Sequence, residues 1–197
     1  MRPEQLFRIA LIVIVVAMAG ISATFRIRAR RDSGTIPRSK EGWKMGLTRL
    51  VFALLLFLPI FAYMLRPAWM SWSEIVLPEW MRWAGIGIGI IVIPLVYLVF
   101  STIGSNISET VLTKESHQLV TTGIYSRVRH PLYMVTSLGL VSFSLLTANW
   151  FIAAMSVISI TLILAVVVPK EEEQLVQHFG DDYRNYQKRS GKMWPRF

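Results

Sequence analysis

Apolar residues gather in five long runs along the chain, each set off by charged or turn-forming stretches. The runs fall at 6–25, 47–65, 84–102, 131–147 and 150–168. A helix rises 1.5 Å per residue, so about 20 apolar residues cross the roughly 30 Å hydrocarbon layer of a bilayer. Four runs meet that length; the fourth is slightly short, which predicts that it begins below the interface. Pro131 opens the fourth run and Pro169 is expected to stop the fifth. Pro59 and Pro94 fall inside the second and third, where neighbouring helices can re-satisfy the freed backbone groups. The "GIGIG" of 85–89 has no preceding strand, so it reads as small residues for close helix packing rather than as a phosphate loop.

Charge sharpens this picture. Charged residues make up 17% of the chain, against about 25% in soluble domains, and mean hydropathy is +0.47. The net charge of +9 sits beside the apolar runs and reads as anchoring and orientation. Lys and Arg number 8 in the first loop, 2 in the second, 3 in the third, none in the turn at 147–149 and 6 in the tail. This alternation predicts an outside N-terminus, with the first loop, third loop and tail in the cytoplasm of a multi-pass cell-membrane protein. The second loop holds Trp69, Trp72, Trp80 and Trp83, which suit an outer interfacial belt. The first run is long and its basic cluster follows it, so it reads as a retained span rather than a cleaved signal. Without cysteine the chain has no disulfide, no thiolate nucleophile and no Cys-based metal site. The Asn106 sequon lies on an expected cytoplasmic loop, where it would not be glycosylated.

The candidate chemistry begins at 123–134, "GIYSRVRHPLYM". Pro131 suits the first helical position, where its missing N–H costs nothing. His130 then stands at the cap, and Arg129 with the first-turn amides makes a positive corner fit for a carboxylate or phosphate. Runs four and five turn back near 148–149, so Arg129–His130 and Glu171–Glu172 return to one membrane face, about 8–10 Å apart between helix axes. A cationic corner facing an anionic one suits a zwitterionic ligand, such as an amino-acid moiety, or a ribose. Each part also has a plainer reading. Arg127 and Arg129 can be headgroup anchors, His130 a satisfied cap, Glu171–Glu173 a solvated first turn, and Tyr125 and Tyr133 interfacial aromatics. In the tail Leu175, Val176, Phe179 and Tyr183 recur at helical spacing with Gly180 as a break, giving either a roof over a pocket or an interfacial anchor.

"HQLVTTGIYSRVRHPLY" (117–133), followed by "EEEQLVQHFGDDYRNY" (171–186), resembles the C-terminal signature of the isoprenylcysteine carboxyl methyltransferases and their phospholipid methyltransferase relatives. The resemblance covers roughly 112–197 and is that of a compact prokaryotic member. It implies an integral membrane enzyme that transfers a methyl group from S-adenosylmethionine, leaving S-adenosylhomocysteine, to a lipophilic acceptor arriving from the bilayer. By position, His117, Gln118, Leu119 and Val120 would line the adenosine side. Tyr125, His130, Pro131, Leu132, Tyr133 and Glu171 would surround the cofactor, and Arg129, His130 and Glu172 would serve catalysis. An amine acceptor would need Glu171, Glu172 or His130 as a base, and a carboxylate acceptor none, with Arg129 orienting it. Eukaryotic prenylcysteine enzymes carry a substrate arginine one turn before that Glu; here the position is Val167.

The expected fold is therefore all-α: a polytopic membrane protein of about five transmembrane helices with a cytosolic C-terminal helical cap. It reads as one membrane domain over 1–197, with a three-span scaffold at 1–111 and a catalytic region at 112–197. The expected partners are the bilayer and a lipophilic substrate, with no metal and no nucleic acid. Two rival readings remain: a sterol-reductase-like NADPH enzyme, whose "RHxNY" has Asn where this chain has Leu132, and a non-catalytic membrane scaffold.

Overall fold

A computed structural model describes residues 3–34, 43–107 and 118–196. Its regular elements are helices: α1 (Pro3–Ser33), α2 (Trp43–Leu65), α3 (Glu79–Ile103), α4 (Pro131–Thr147), α5 (Trp150–Leu162), α6 (Val168–Phe179) and α7 (Asp181–Arg189). A 3-10 segment, Pro67–Ser73, lies between α2 and α3. Each apolar run of the sequence lies on a helix, and the fold is all-helical as the sequence predicts. Three helical stretches, Pro3–Asp32, Glu79–Ile103 and Trp150–Phe179, are long and apolar enough to cross a bilayer, and Ala53–Leu65 and Pro131–Thr147 are shorter apolar helices. The protein is a membrane protein. Val13, Val16, Leu54, Leu58, Ile90, Ile91 and Val157 are exposed along these helices, which is tolerable only where the surroundings are hydrocarbon. Trp69, Trp72, Trp80 and Trp83 are exposed as well, as an interfacial belt requires.

Two expectations need correction. α1 does not end with its apolar run at Phe25; it carries Arg26, Arg28, Arg30 and Arg31 onward to Ser33. Pro169 does not stop the fifth run. The helix continues from Trp150 to Phe179 because a π turn at Ile163–Val167 precedes the proline, with Val168 N–H bonded to the Ile163 carbonyl five residues back. A widened turn absorbs the hydrogen bond that proline cannot make.

The core has two parts. Phe7, Leu11 and Ile14 of α1 pack with Ile60 and Tyr63 of α2, Leu140, Phe143 and Leu146 of α4, and Ile152 of α5. Ala29 of α1 packs with Val92, Val96, Val99 and Phe100 of α3, Val135 of α4, and Tyr125. Gly85 and Gly89 let α3 close on its neighbours. A Cβ at Gly85 would meet Leu145 Cβ at 3.0 Å, and one at Gly89 would clash with Ile14 Cδ1. Ser142 Oγ donates to the Gly85 carbonyl across the same seam, at 2.7 Å. The glycine stretch thus serves helix packing.

The α4–α5 turn is locked from outside. Ala148 takes a left-handed conformation, and the Asn149 side chain accepts from Ile152 N–H at 3.0 Å, capping α5. The same side chain donates to the Met70 carbonyl and to Ser73 Oγ. Near this end Arg82, which the sequence presents as an ordinary loop charge, is buried. It pairs with both Glu4 carboxylate oxygens, donates to the Leu146 carbonyl, and lies 4.1 Å over the Phe7 ring.

Candidate active site

The hairpin of α4 and α5 returns the two motifs to one end of the molecule. Arg129 Nε donates to Glu172 Oε1 at 2.8 Å. The His130 ring stands between two acids, with Nε2 3.2 Å from Glu172 Oε1 and Nδ1 3.7 Å from Glu171 Oε2. Pro131 occupies the first turn of α4 and His130 its N-cap position, as expected. The His130 side chain makes no capping bond, however, so the cap reading of that residue is corrected: its ring is turned to the acids.

Arg129 does not serve as a headgroup anchor. Besides Glu172, it donates to the carbonyls of Gln187 and Ser190 at the end of α7. The backbone completes the tie. Arg129 N–H bonds Gly191 O at 2.9 Å, His130 N–H bonds Lys192 O at 3.1 Å, and Gly191 N–H returns to Arg127 O at 2.9 Å. Gly180, at φ 56°, turns the chain between α6 and α7. The tail therefore comes back beneath the 127–130 segment, and Tyr186 donates to the Tyr125 carbonyl. Arg127 itself stays exposed.

Burial raises the cost of charge on the Glu172 carboxyl, but hydrogen bonds from His130 and Arg129 outweigh it and hold the group at about 2. Lys192 Nζ lies 3.5 Å from Oε2 and joins Arg129 as a cation facing this carboxylate. Burial, with Glu171 and Tyr186 nearby, pushes the Tyr125 hydroxyl up. Burial and the neighbouring Glu172 raise that of Tyr183 far above the usual tyrosine value. Both phenols stay protonated.

A cavity of about 540 Å³ opens against this network. Gln118, Leu119, Val120, Tyr125, Arg129, His130, Pro131, Leu132, Tyr133 and Glu171 all line it. Glu172 does not; it lies behind the wall, fixing Arg129 and His130. His117 lies outside the described residues. Glu171 Oε2 and the Tyr183 hydroxyl are buried at this cavity with no hydrogen-bond partner among the described residues. The lining also has an apolar part, built from Ala53, Leu56 and Phe57 of α2 with Leu162, Ile163, Val166 and Val167 of α5 and its π turn. Small-molecule sites have this character: mostly apolar, with a few convergent polar groups. Among the described residues no cluster of three His, Cys, Asp or Glu side chains is arranged to hold a metal ion.

Sequence reasoning missed Arg26, Asn106, Tyr183 and Tyr186, which also line the cavity. Asn106 showed only as a sequon; its Oδ1 accepts from Gln118 N–H at 3.0 Å. Tyr183 showed as part of an apolar stripe and, with Tyr186, inside the 171–186 signature, but with no role in the site; their i,i+3 spacing was a signal that both face one way.

A family model for the isoprenylcysteine carboxyl methyltransferase family matches residues 85–177. The match begins earlier than the expected 112, taking in most of α3, and ends before the "FGDDY" of the tail. The nickel-cobalt-cadmium resistance protein NccN of Alcaligenes xylosoxydans xylosoxydans is 32% identical over 83 residues, 42% of this chain and 38% of that protein. The protein-S-isoprenylcysteine O-methyltransferase of Schizosaccharomyces pombe is 32% identical over 88 residues, 44% of this chain and 37% of that enzyme. The methanethiol S-methyltransferase of Pseudomonas deceptionensis is 35% identical over 78 residues, 36% of this chain and 26% of that enzyme. The matched stretch thus spans less than two fifths of each of these curated relatives. The solved structure of the eukaryotic intramembrane Ras methyltransferase ICMT superposes with a TM-score of 0.54 at 22% identity, over 94% of this chain and 67% of that one. That likeness is one of fold.

Proposed function

We propose, for a chain that belongs to the isoprenylcysteine carboxyl methyltransferase family through residues 85–177, that it is a membrane methyltransferase using S-adenosylmethionine on a lipophilic acceptor. The observation that carries this reading is the mixed lining of the cavity. His130, Glu171, Tyr125 and Tyr183 offer polar groups to a polar ligand, and the apolar residues of α2 and α5 offer a surface to a lipid.

S-Adenosylmethionine, when bound, supplies a methyl group activated by a sulfonium centre. The residues present fit such a ligand, since Glu171 Oε2 and the Tyr183 hydroxyl are buried polar atoms without a hydrogen bond among the described residues. Gln118, Leu119 and Val120 line the side assigned to the adenosine, and Pro131, Leu132 and Tyr133 the side toward the helix. What the chain contributes is alignment in a site shielded from bulk water. Arg129 is occupied by Glu172 and two carbonyls, which makes it a positioning residue for the 127–130 segment rather than an acceptor anchor. Glu172 has the same role. Glu171 and His130 reach the cavity and are the groups able to take a proton from an amine acceptor. Val167 keeps that part of the wall apolar. We place the cavity at the cytoplasmic leaflet, with the N-terminus outside, five crossings, and residues 118–196 joining the N-terminal helices in one membrane domain. The alternating Lys and Arg counts of the loops support that orientation.

The test is incubation of the purified protein with S-adenosylmethionine tritiated in its methyl group and a lipid extract of the source cells. The expected result is label in the organic phase, reduced at least about tenfold by His130→Ala and by Glu171→Gln. Absence of label from every lipid fraction, with intact protein, would overturn the reading.

A further inference from the structure

Tyr183 falls inside the 171–186 signature, but the signature assigns it no role. It lies in α7, beyond the matched residues 85–177. It is 1% exposed, it lines the cavity, and its hydroxyl has no hydrogen-bond partner among the described residues. A buried hydroxyl without a partner is costly, and native structures rarely leave one so unless something else fills the gap. The ring is held edge-on to Tyr186, 5.8 Å away, and Tyr186 is anchored to the Tyr125 carbonyl. The hydroxyl is therefore fixed in place by its ring and not by its oxygen.

In the lining of the same cavity, Glu171 Oε2 is a second buried oxygen lacking a hydrogen bond among the described residues. One is a carboxylate oxygen, which accepts; the other belongs to a phenol kept protonated by burial, which donates. Lys170 adds an ammonium to the rim of the same cavity. A ligand group bearing both an ammonium and a carboxylate answers all three. We propose that Tyr183 is a ligand-binding residue whose hydroxyl donates to the carboxylate of the methyl donor's amino-acid end, while Glu171 accepts from its ammonium. This rests on the methyltransferase reading above and deepens it. It also gives the returning tail a purpose: α7 brings a specific donor to the site as well as covering it.

The experiment is isothermal titration of the purified protein with two probes. S-Adenosylhomocysteine carries the amino-acid end; 5′-methylthioadenosine lacks it. Tyr183→Phe removes one oxygen that touches no protein partner, so the thermal midpoint without ligand should not fall. The expected result is about 5- to 20-fold weaker binding of S-adenosylhomocysteine in Tyr183→Phe, with 5′-methylthioadenosine binding unchanged. Glu171→Gln should show the same selective loss. Equal weakening of both probes by Tyr183→Phe would overturn the assignment, because the hydroxyl would then serve the adenosine end. No weakening of either, or a lowered midpoint without ligand, would overturn it too. Failure of the wild-type protein to bind either probe would overturn the methyltransferase reading itself, a result distinct from these.

Discussion

Glu172 shows how one side chain holds a site it does not line. It receives hydrogen bonds from Arg129 and His130 and faces Lys192. Losing the charge leaves Arg129 and His130 only a neutral amide oxygen to share. Glu172→Gln should therefore cost about 2 kcal/mol, the scale of hydrogen bonds to a charged group, read as a lower thermal midpoint in detergent. The pH dependence follows from a carboxyl held at about 2 in the fold against 4.5 as its ordinary value. Its stabilisation is complete above about 4.5 and disappears as pH falls through about 2. The gap in midpoint between wild type and Glu172→Gln should thus not shrink from pH 8 to 5.5. The gap should shrink only below about 4.5, and a gap that stays constant down to about pH 3 would mean that the fold does not hold the carboxyl below its ordinary value. From sequence, the meeting of 129–130 with 171–172 was legible, because hairpin arithmetic alone brings them together. The unequal roles of the two acids were not. Adjacent residues on a helix point about 100° apart, and only the packing of α7 decides which faces the cavity.

At the scale of the element, the five apolar runs were legible because burial in lipid demands continuous apolar sequence. The π turn at Ile163–Val167 was not. Its residues are as apolar as those of a regular turn, and the following proline reads as a stop unless the widened turn is known. The glycines of α3 divide by what they touch. A Cβ added at Gly85 would meet Leu145 Cβ at 3.0 Å and the Ser142 carbonyl oxygen at 3.2 Å, whereas one at Gly87 would meet nothing within 4 Å. Gly85→Ala should lower stability by about 1 kcal/mol through overpacking of the α3–α4 seam. Gly87→Ala should be neutral or stabilise slightly through helix propensity. Thermal midpoints of the two variants, purified side by side, check both directions, and equal effects would contradict the packing account.

Across the whole molecule, the cavity is a joint product of both halves of the chain. Arg26 of α1, Leu56 and Phe57 of α2, and Phe100 and Ile103 of α3 stand on its wall beside the C-terminal motifs. Local periodicity marks these residues only as apolar or as flanking charge, so their part in the site was hidden until the helices were assembled. The tail's return was hidden for the same reason. Backbone pairing of Gly191 and Lys192 with 127–130 has no signature in either segment. The pairing of buried Arg82 with exposed Glu4 likewise joins residues 78 apart in sequence.

The most direct test of the central claim, that the wall made by 118–133 and 171–186 binds the methyl donor, is photochemical cross-linking. Tritiated S-adenosylmethionine would be irradiated with the purified protein and the labelled peptide identified by mass spectrometry. The account predicts label within those two segments, protected by excess S-adenosylhomocysteine and not by NADPH. Label confined to the Pro67–Ser73 end of the molecule, or label that S-adenosylhomocysteine does not displace, would contradict it.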